Sequence, residues 1–149
     1  MTKKREGGYL ISQIHQLSGR IFSKKLKEYQ IDINHAQGKI IFALWKKDRI
    51  PITDLAKETA LSKSSLTTML ERLEKSGHLK RKQSETDKRI TIVCLTQKSS
   101  LLRADYQKIS SDMTDIFYKG FANDDISKFE LSLKKILKNL KHEYNLVQN

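Results

Sequence analysis

Apolar residues recur along this chain in two rhythms, and the switch between them sets its plan. From Tyr9 to about Gln30, Leu10, Ile14, Leu17, Ile21 and Leu26 follow helical spacing, which Ile31-Asp32-Ile33 interrupts. Asn34 with Gln37 three residues on has the form of a capping box, opening a second predicted helix to about Lys47 that buries Ile40, Ile41, Leu44 and Trp45. Arg49-Ile50-Pro51-Ile52 reads as a short extended link able to add a third strand to a small sheet. Thr53-Asp54 starts a short helix carrying Leu55-Ala56, a tight turn follows through Ala60-Leu61, and Ser62 is placed to cap the next helix. That helix runs from about Lys63 to Ser76, with Leu66, Met69, Leu70 and Leu73 in one stripe that must face a core, and Gly77 ends it.

The rhythm then changes. Leu79–Gln83 and the β-branched, apolar Ile90–Leu95 flank a polar loop, Ser84–Arg89, and predict a hairpin with a longer than minimal turn. Two helices followed by a basic hairpin make a winged helix-turn-helix, so the expected fold is mainly α with a small β-wing. Thr96 is placed to cap a long helix from Gln97 to about Lys119, carrying Leu101, Leu102, Tyr106, Ile109, Met113, Ile116 and Phe117. Gly120 breaks it, and Asn123 or Asp124 opens a last helix striped by Ile126, Phe129, Leu133, Ile136, Leu137, Leu140, Tyr144 and Val147.

These stripes predict a single domain over 1–149 with two lobes. Residues 34–96 are expected to form the winged helix-turn-helix lobe, and 1–33 and 97–149 to supply dimerisation helices. Hydrophobic residues are 38% of the chain, low for a self-sufficient globule. The winged core leaves little apolar surface to cover the long terminal helices, so their economical partner is a second copy of the chain. A two-fold homodimer would present two recognition helices to half-sites roughly one helical turn apart. The alternative is an intramolecular helical bundle in a monomer.

Charge narrows the partner. The chain has 29 Lys+Arg against 17 Asp+Glu, a net +12, which points to a polyanion, nucleic acid before membrane. A lysine-rich surface kept for solubility would give the same number; the basic hairpin and the polar helix face decide for double-stranded DNA. Opposite the apolar stripe of the second helix-turn-helix helix lie Ser64, Thr68, Glu71, Arg72 and Lys75, flanked by Ser65 and Thr67. Small polar residues let a helix approach base-pair edges, and its N-terminus favours phosphate oxygens. Ser64, Ser65, Thr67 and Thr68 are expected at base edges, thymine methyls or phosphates; Lys63 and Arg72 at phosphates; Ser62 as a cap first and a phosphate contact second. Lys82 and Lys88 are phosphate candidates in the wing.

Other chemistry is sparse. The one cysteine, Cys94, excludes an intrachain disulfide and reads as a small buried strand residue rather than a redox thiol. His15, His35, His78 and His142 are scattered without clustered Cys or Asp/Glu, so no metal site is expected. No phosphate-cradling glycine loop and no nucleophile–base–acid set is recognisable, so neither an enzyme nor a cofactor is expected. Residues 1–8 read as a loose basic tail with no apolar signal core behind it, and no run approaches ~18 apolar residues, so the expectation is no membrane span and a cytoplasmic protein.

Asp87-Lys88-Arg89 with Leu95-Thr96, Leu55-Ala56, and Leu73-Glu74-Lys75-Ser76-Gly77 stand at matching spacing to patterns of one family. The chain resembles the MarR family of bacterial transcription regulators, over its whole length in helix order and most specifically between residues 55 and 96. The resemblance implies a homodimeric winged helix-turn-helix repressor of a pseudo-palindromic operator, with Arg89 at the wing tip in a minor groove whose narrow A·T tracts concentrate negative potential. Asp87 would orient that guanidinium or brace the hairpin against the recognition helix. It also implies relief by small aromatic or phenolic anions in a crevice that His15, Arg20, Phe22 and Trp45 could line, though these side chains serve equally as core or surface. The wing lacks the proline often found before its aspartate, having Ser84-Glu85-Thr86, and Ser99 replaces a usual glycine at a position expected on a helix surface. The runner-up readings are a winged-helix adaptor binding an acidic protein and a non-specific nucleoid-type DNA-binding protein.

Overall fold

The computed structural model describes residues 3–148 and contains six helices and three strands among them. The order is α1 (Gly7–Glu28), α2 (His35–Lys46), β1 (Ile50–Pro51), α3 (Ile52–Thr59), α4 (Lys63–Lys75), β2 (Leu79–Gln83), β3 (Thr91–Leu95), α5 (Gln97–Phe117) and α6 (Asn123–Gln148). The chain divides into two compact units, Met1–Met113 and Thr114–Asn149. No helix among the described residues is long and apolar enough to cross a membrane.

The first unit has one core. Leu26, Ile40, Ile41, Leu44, Leu55, Leu66, Leu70, Leu73, Leu79, Val93 and Ile109 are fully buried in it. The expected capping box of α2 forms: Asn34 Oδ1 accepts from Gln37 N at 2.8 Å, and Gln37 Oε1 accepts from Asn34 N at 3.0 Å. The link at residues 50–51 adds the third strand, giving an antiparallel sheet of order β1-β3-β2 with Ile50 opposite Val93. Asp48 fastens this corner by accepting from Arg49 N at 2.8 Å and Leu95 N at 2.9 Å.

Several boundaries differ from the pattern of apolar residues. Gly7 and Gly8, expected in a loose tail, begin α1, while Met1 and Thr2 of that tail lie outside the described residues. Gln30, expected near the helix end, takes φ 58° in the turn after it. Ile90 precedes β3 and is exposed, because the wing loop closes with Ser84 N donating to its carbonyl. The hydroxyl of Thr96, which precedes α5, donates to the Gly77 carbonyl. Ser99, expected on a surface, is fully buried.

Aromatic contacts organise the side of the core away from the sheet. The Tyr106 ring of α5 meets Phe22 of α1 at 5.2 Å and Trp45 of α2 at 5.0 Å between centroids. Gly38 makes this approach possible: a Cβ there would stand 2.7 Å from the Tyr106 hydroxyl oxygen and 2.9 Å from its ring. In the second unit, Phe117, Tyr118, Phe121 and Phe129 cluster edge to face, and Tyr118 donates to Glu130 at 2.9 Å.

Substituting Gly38→Ala should gain helix propensity yet overpack the Tyr106 ring. The expected net loss is about 1–2 kcal/mol in urea unfolding, and trimming the ring with Tyr106→Leu in the same chain should make Gly38→Ala neutral or stabilising.

Candidate nucleic-acid interface

The recognition helix α4 is built to bury one face and display the other. Leu66, Leu70 and Leu73 have no exposure, and Met69 packs at their edge. At the N-terminus, Ala60 takes the left-handed conformation, φ 56°, that ends α3. Ser62 then accepts from Ser65 N at 3.3 Å as the cap of α4. Ser62, Lys63, Ser64, Ser65, Thr67, Thr68 and Arg72 are all exposed, on one outward surface.

Their hydrogen bonds define what that surface offers. Thr67 donates its hydroxyl to Lys63 O at 2.9 Å and Thr68 to Ser64 O at 3.1 Å. Their hydrogens are spent on the helix, so outward they show methyl groups and acceptor lone pairs. The Ser64 hydroxyl lies 3.4 Å from that of Ser62.

The C-terminus of α4 is closed by a Schellman motif. His78 N donates to Leu73 O at 2.9 Å and Gly77 N to Glu74 O at 3.0 Å, with Gly77 at φ 82°, which a side chain would resist. The carbonyls of Ser76, Gly77 and His78 are all taken by residues flanking the start of α5. Lys98 Nζ donates to Ser76 O at 2.7 Å, the Thr96 hydroxyl to Gly77 O, and both the Ser99 hydroxyl and Thr96 N to His78 O.

The wing is fastened separately. Glu74 of α4 accepts from Arg81 N at 2.8 Å and from its guanidinium at 3.0 Å, bridging recognition helix and hairpin. These bonds hold the Glu74 carboxyl below its usual range, the Arg81 side chain contributing most. The sequence reading has Asp87 either orient the Arg89 guanidinium or brace the hairpin; the contact to the recognition helix is made by Glu74. Asp87 instead grips Arg89: Oδ1 accepts from Arg89 N at 3.0 Å and Nε at 3.1 Å, Oδ2 from Nη2 at 3.0 Å. The pairing lowers the Asp87 pKa and raises that of Arg89. Arg89 still exposes 90% of its side chain, so it is aimed rather than buried. Lys82 and Lys88 are exposed, and Lys80 shares the Lys82 face of β2 while Arg81 turns to Glu74.

A second concave feature belongs to the same unit. A groove of about 500 Å³ is lined by His15, Arg20, Ser23, Lys24, Lys27 and His35, among others. Burial first, then Lys39 and His15, lower the His35 pKa. Of the four aromatic and cationic positions named from sequence for a crevice, His15 and Arg20 line it; Phe22 is core beside it and Trp45 packs on Tyr106. No group of three or more metal-ligating side chains occurs among the described residues.

Helix, turn, helix and three-stranded wing in this arrangement define a winged helix-turn-helix protein. The model of the MarR family matches residues 33–91. An uncharacterized HTH-type transcriptional regulator of Bacillus subtilis, YfiV, is 35% identical over 80 residues, which is 53% of this chain and half the length of that protein. The organic hydroperoxide resistance transcriptional regulator of the same organism is 25% identical over 86% of both chains. Among solved structures, a mutant of MarR from E. coli complexed with operator DNA superposes with a TM-score of 0.79 at 27% identity, covering 87% of this chain and 92% of that one. The chain is thus similar to the MarR family, in sequence over residues 33–91 and in fold over most of its length.

The Glu74 brace predicts a pH-dependent wing. Its folded pKa is depressed, so its stabilisation is whole above the unfolded value of 4.5 and is lost as pH falls through the lower folded value. Glu74→Ala should cost roughly 1 kcal/mol at neutral pH, speed exchange of the Arg81 amide proton, and flatten the acid limb of the stability curve near that range.

Proposed function

We propose that this chain is a sequence-specific DNA-binding transcription regulator of the MarR family, a homodimeric repressor of a pseudo-palindromic operator, acting in the cytoplasm and without catalytic activity. The observation that carries this reading is the pairing of a hydroxyl-rich helix face with an exposed, aimed arginine at a wing tip. In this reading Ser64, Ser65, Thr67 and Thr68 meet base edges in the major groove, Ser62, Lys63, Arg72, Lys82 and Lys88 meet phosphates, and Arg89 enters the minor groove with Asp87 as its orienter.

The dimer is supported by apolar surface that the single chain leaves open. Leu10, Ile14, Leu17 and Ile21 of α1 are 41–57% exposed, and Ile136, Leu137, Leu140, Tyr144 and Val147 of α6 are 43–82% exposed. Stripes this long are characteristic of helices that bury their face against a partner. A second copy of the chain supplies that partner and sets the spacing of two reading heads.

Selection from a random duplex pool at about physiological salt should enrich an inverted repeat with half-sites roughly one turn apart. Absence of any enriched sequence would favour the nucleoid-type alternative. Against the enriched duplex, Arg89→Ala should weaken binding about tenfold or more and relax the preference for A·T pairs under the wing; unchanged affinity would remove the minor-groove role.

The cationic groove supports an anionic aromatic effector. An anion there would favour the charged form of His35, so binding takes up a proton and affinity should rise as pH falls. A hydroxybenzoate should raise the melting temperature more at pH 6 than at pH 8, and Arg20→Ala should diminish both shifts.

A further inference from the structure

The most deeply buried ionisable side chain of the first unit lies outside both the reading face and the groove. The His78 ring has no exposure, and its Nε2 stands 2.7 Å from Asp32 Oδ1, across 46 residues of sequence. Because a carboxylate only accepts, Nε2 donates the hydrogen of this bond, and Nδ1 is buried without a hydrogen-bond partner. The ring therefore has a single polar tether. Asp32 is held in place from below: Ile31 and Ile33 on either side of it are core residues, 4% and 6% exposed, which fixes the connector between α1 and α2 and turns the carboxylate outward. Its second oxygen accepts from Lys98 Nζ at 3.3 Å, the same ammonium that takes the Ser76 carbonyl.

Three segments therefore meet at one polar point: the connector through Asp32, the exit of the recognition helix through His78, and the first turn of α5 through Lys98. The Schellman closure and the carbonyl clasp join only the last two. Asp32 alone extends the arrangement to the connector by hydrogen bonds and charge. His78 follows Gly77, the residue whose positive φ sets the direction in which the chain leaves α4, so a shift of the ring is a shift of the helix end.

We infer that Asp32 is a positioning residue for operator recognition, holding the C-terminal end of α4 through His78 at the angle its base contacts need. The inference rests on the DNA-binding reading proposed above. Its carboxylate stays ionised well into acid because the His78 and Lys98 contacts together outweigh the desolvation that opposes them. The mechanism is geometric: base contacts demand a fixed approach, whereas phosphate contacts tolerate a tilted helix.

The test compares the full-length wild type, Asp32→Ala and Asp32→Asn on two probes, the duplex enriched by selection and a scrambled duplex of equal length. Asp32 is more than half exposed, so both substitutions leave the core intact, and melting curves confirm that each variant is folded at the assay temperature. Both remove one negative charge, which by itself strengthens binding to any DNA. Asp32→Asn keeps an oxygen that can accept from His78; Asp32→Ala does not. The expected result is an operator affinity lowered about tenfold by Asp32→Ala, against the electrostatic sign, with the scrambled duplex bound as well or slightly better, and most of the loss recovered in Asp32→Asn. Operator affinity within about twofold of wild type in Asp32→Ala, an equal loss on both duplexes, or an equal loss in Asp32→Asn would overturn the inference. If the wild type itself does not prefer the enriched duplex, the DNA-binding reading fails first and takes this one with it.

Discussion

The carbonyls of Ser76, Gly77 and His78, at the exit of the recognition helix, are all taken by Thr96, Lys98 and Ser99, and the rest of the interface depends on that clasp. The last carbonyls of a helix have no partners within it and cost free energy if buried without any. Here the Schellman bonds satisfy the Leu73 and Glu74 carbonyls, and residues around the start of α5 satisfy those of Ser76, Gly77 and His78. The opposite end of the helix is treated differently. One serine caps it, the first turn is exposed, and its remaining amide hydrogens face outward where phosphate oxygens would sit. A helix anchored at its tail and open at its head is suited to presenting its head to something else.

Charge is distributed to match. The helix face carries hydroxyls and methyls in its first two turns, with Lys63 at its start, Glu71, Arg72 and Lys75 further along, and more cations on the wing. Some cations are committed within the protein: Arg81 to Glu74 and Lys98 to Asp32 fix structure. Arg89 is paired with Asp87 but remains exposed, so its pair orients it without hiding it. Lys63, Arg72, Lys82 and Lys88 are exposed and form no ion pair among those the described residues show, so in the proposed reading they would supply the salt-dependent part of the attraction to DNA. The excess of +12 is thus divided between groups that shape the lobe and groups that are free to attract.

Most of this was legible in the sequence wherever the determining interactions are local. The Asn34–Gln37 box, the Ser62 cap, the Gly77 terminus and the Leu66–Leu73 stripe act within one or two turns, and each is found where the residue pattern places it. What the sequence hid depends on distant partners. Glu74 reads as a solvent-facing residue near a helix end until the hairpin folds back to bring Arg81 to it. Asp32 reads as a helix breaker and His78 as one of four scattered histidines, because nothing local joins residues 46 apart. Ser99, a departure from the usual glycine of the MarR pattern, reads as a surface change from sequence, yet it is buried, and its hydroxyl donates to the His78 carbonyl. The long helical stripes were visible as stripes, but periodicity alone does not say which of their residues close on the chain's own core. Phe22 and Leu26 do; Leu10, Ile14, Leu17 and Ile21 do not.

The hydroxyl bookkeeping also limits the kind of specificity open to this helix. With the Thr67 and Thr68 hydrogens turned back to Lys63 and Ser64, these two side chains offer methyl groups and acceptors outward, and the donors left at the helix head are Lys63 and the serine hydroxyls. The threonines complement thymine methyls and the amino groups of adenine and cytosine, while the paired acceptors of guanine are met best by a bidentate arginine. Arg72 is the arginine of this helix, one to two turns beyond the threonines, so guanine readout at the helix head would have to come from elsewhere. A small set of methyl and acceptor contacts distinguishes few sequences by itself. Discrimination in such a protein must therefore draw on shape, through the arginine of the wing, and on the fixed separation of two reading heads. Both of these are geometric quantities, and both are only as well defined as the angle at which α4 leaves its clasp.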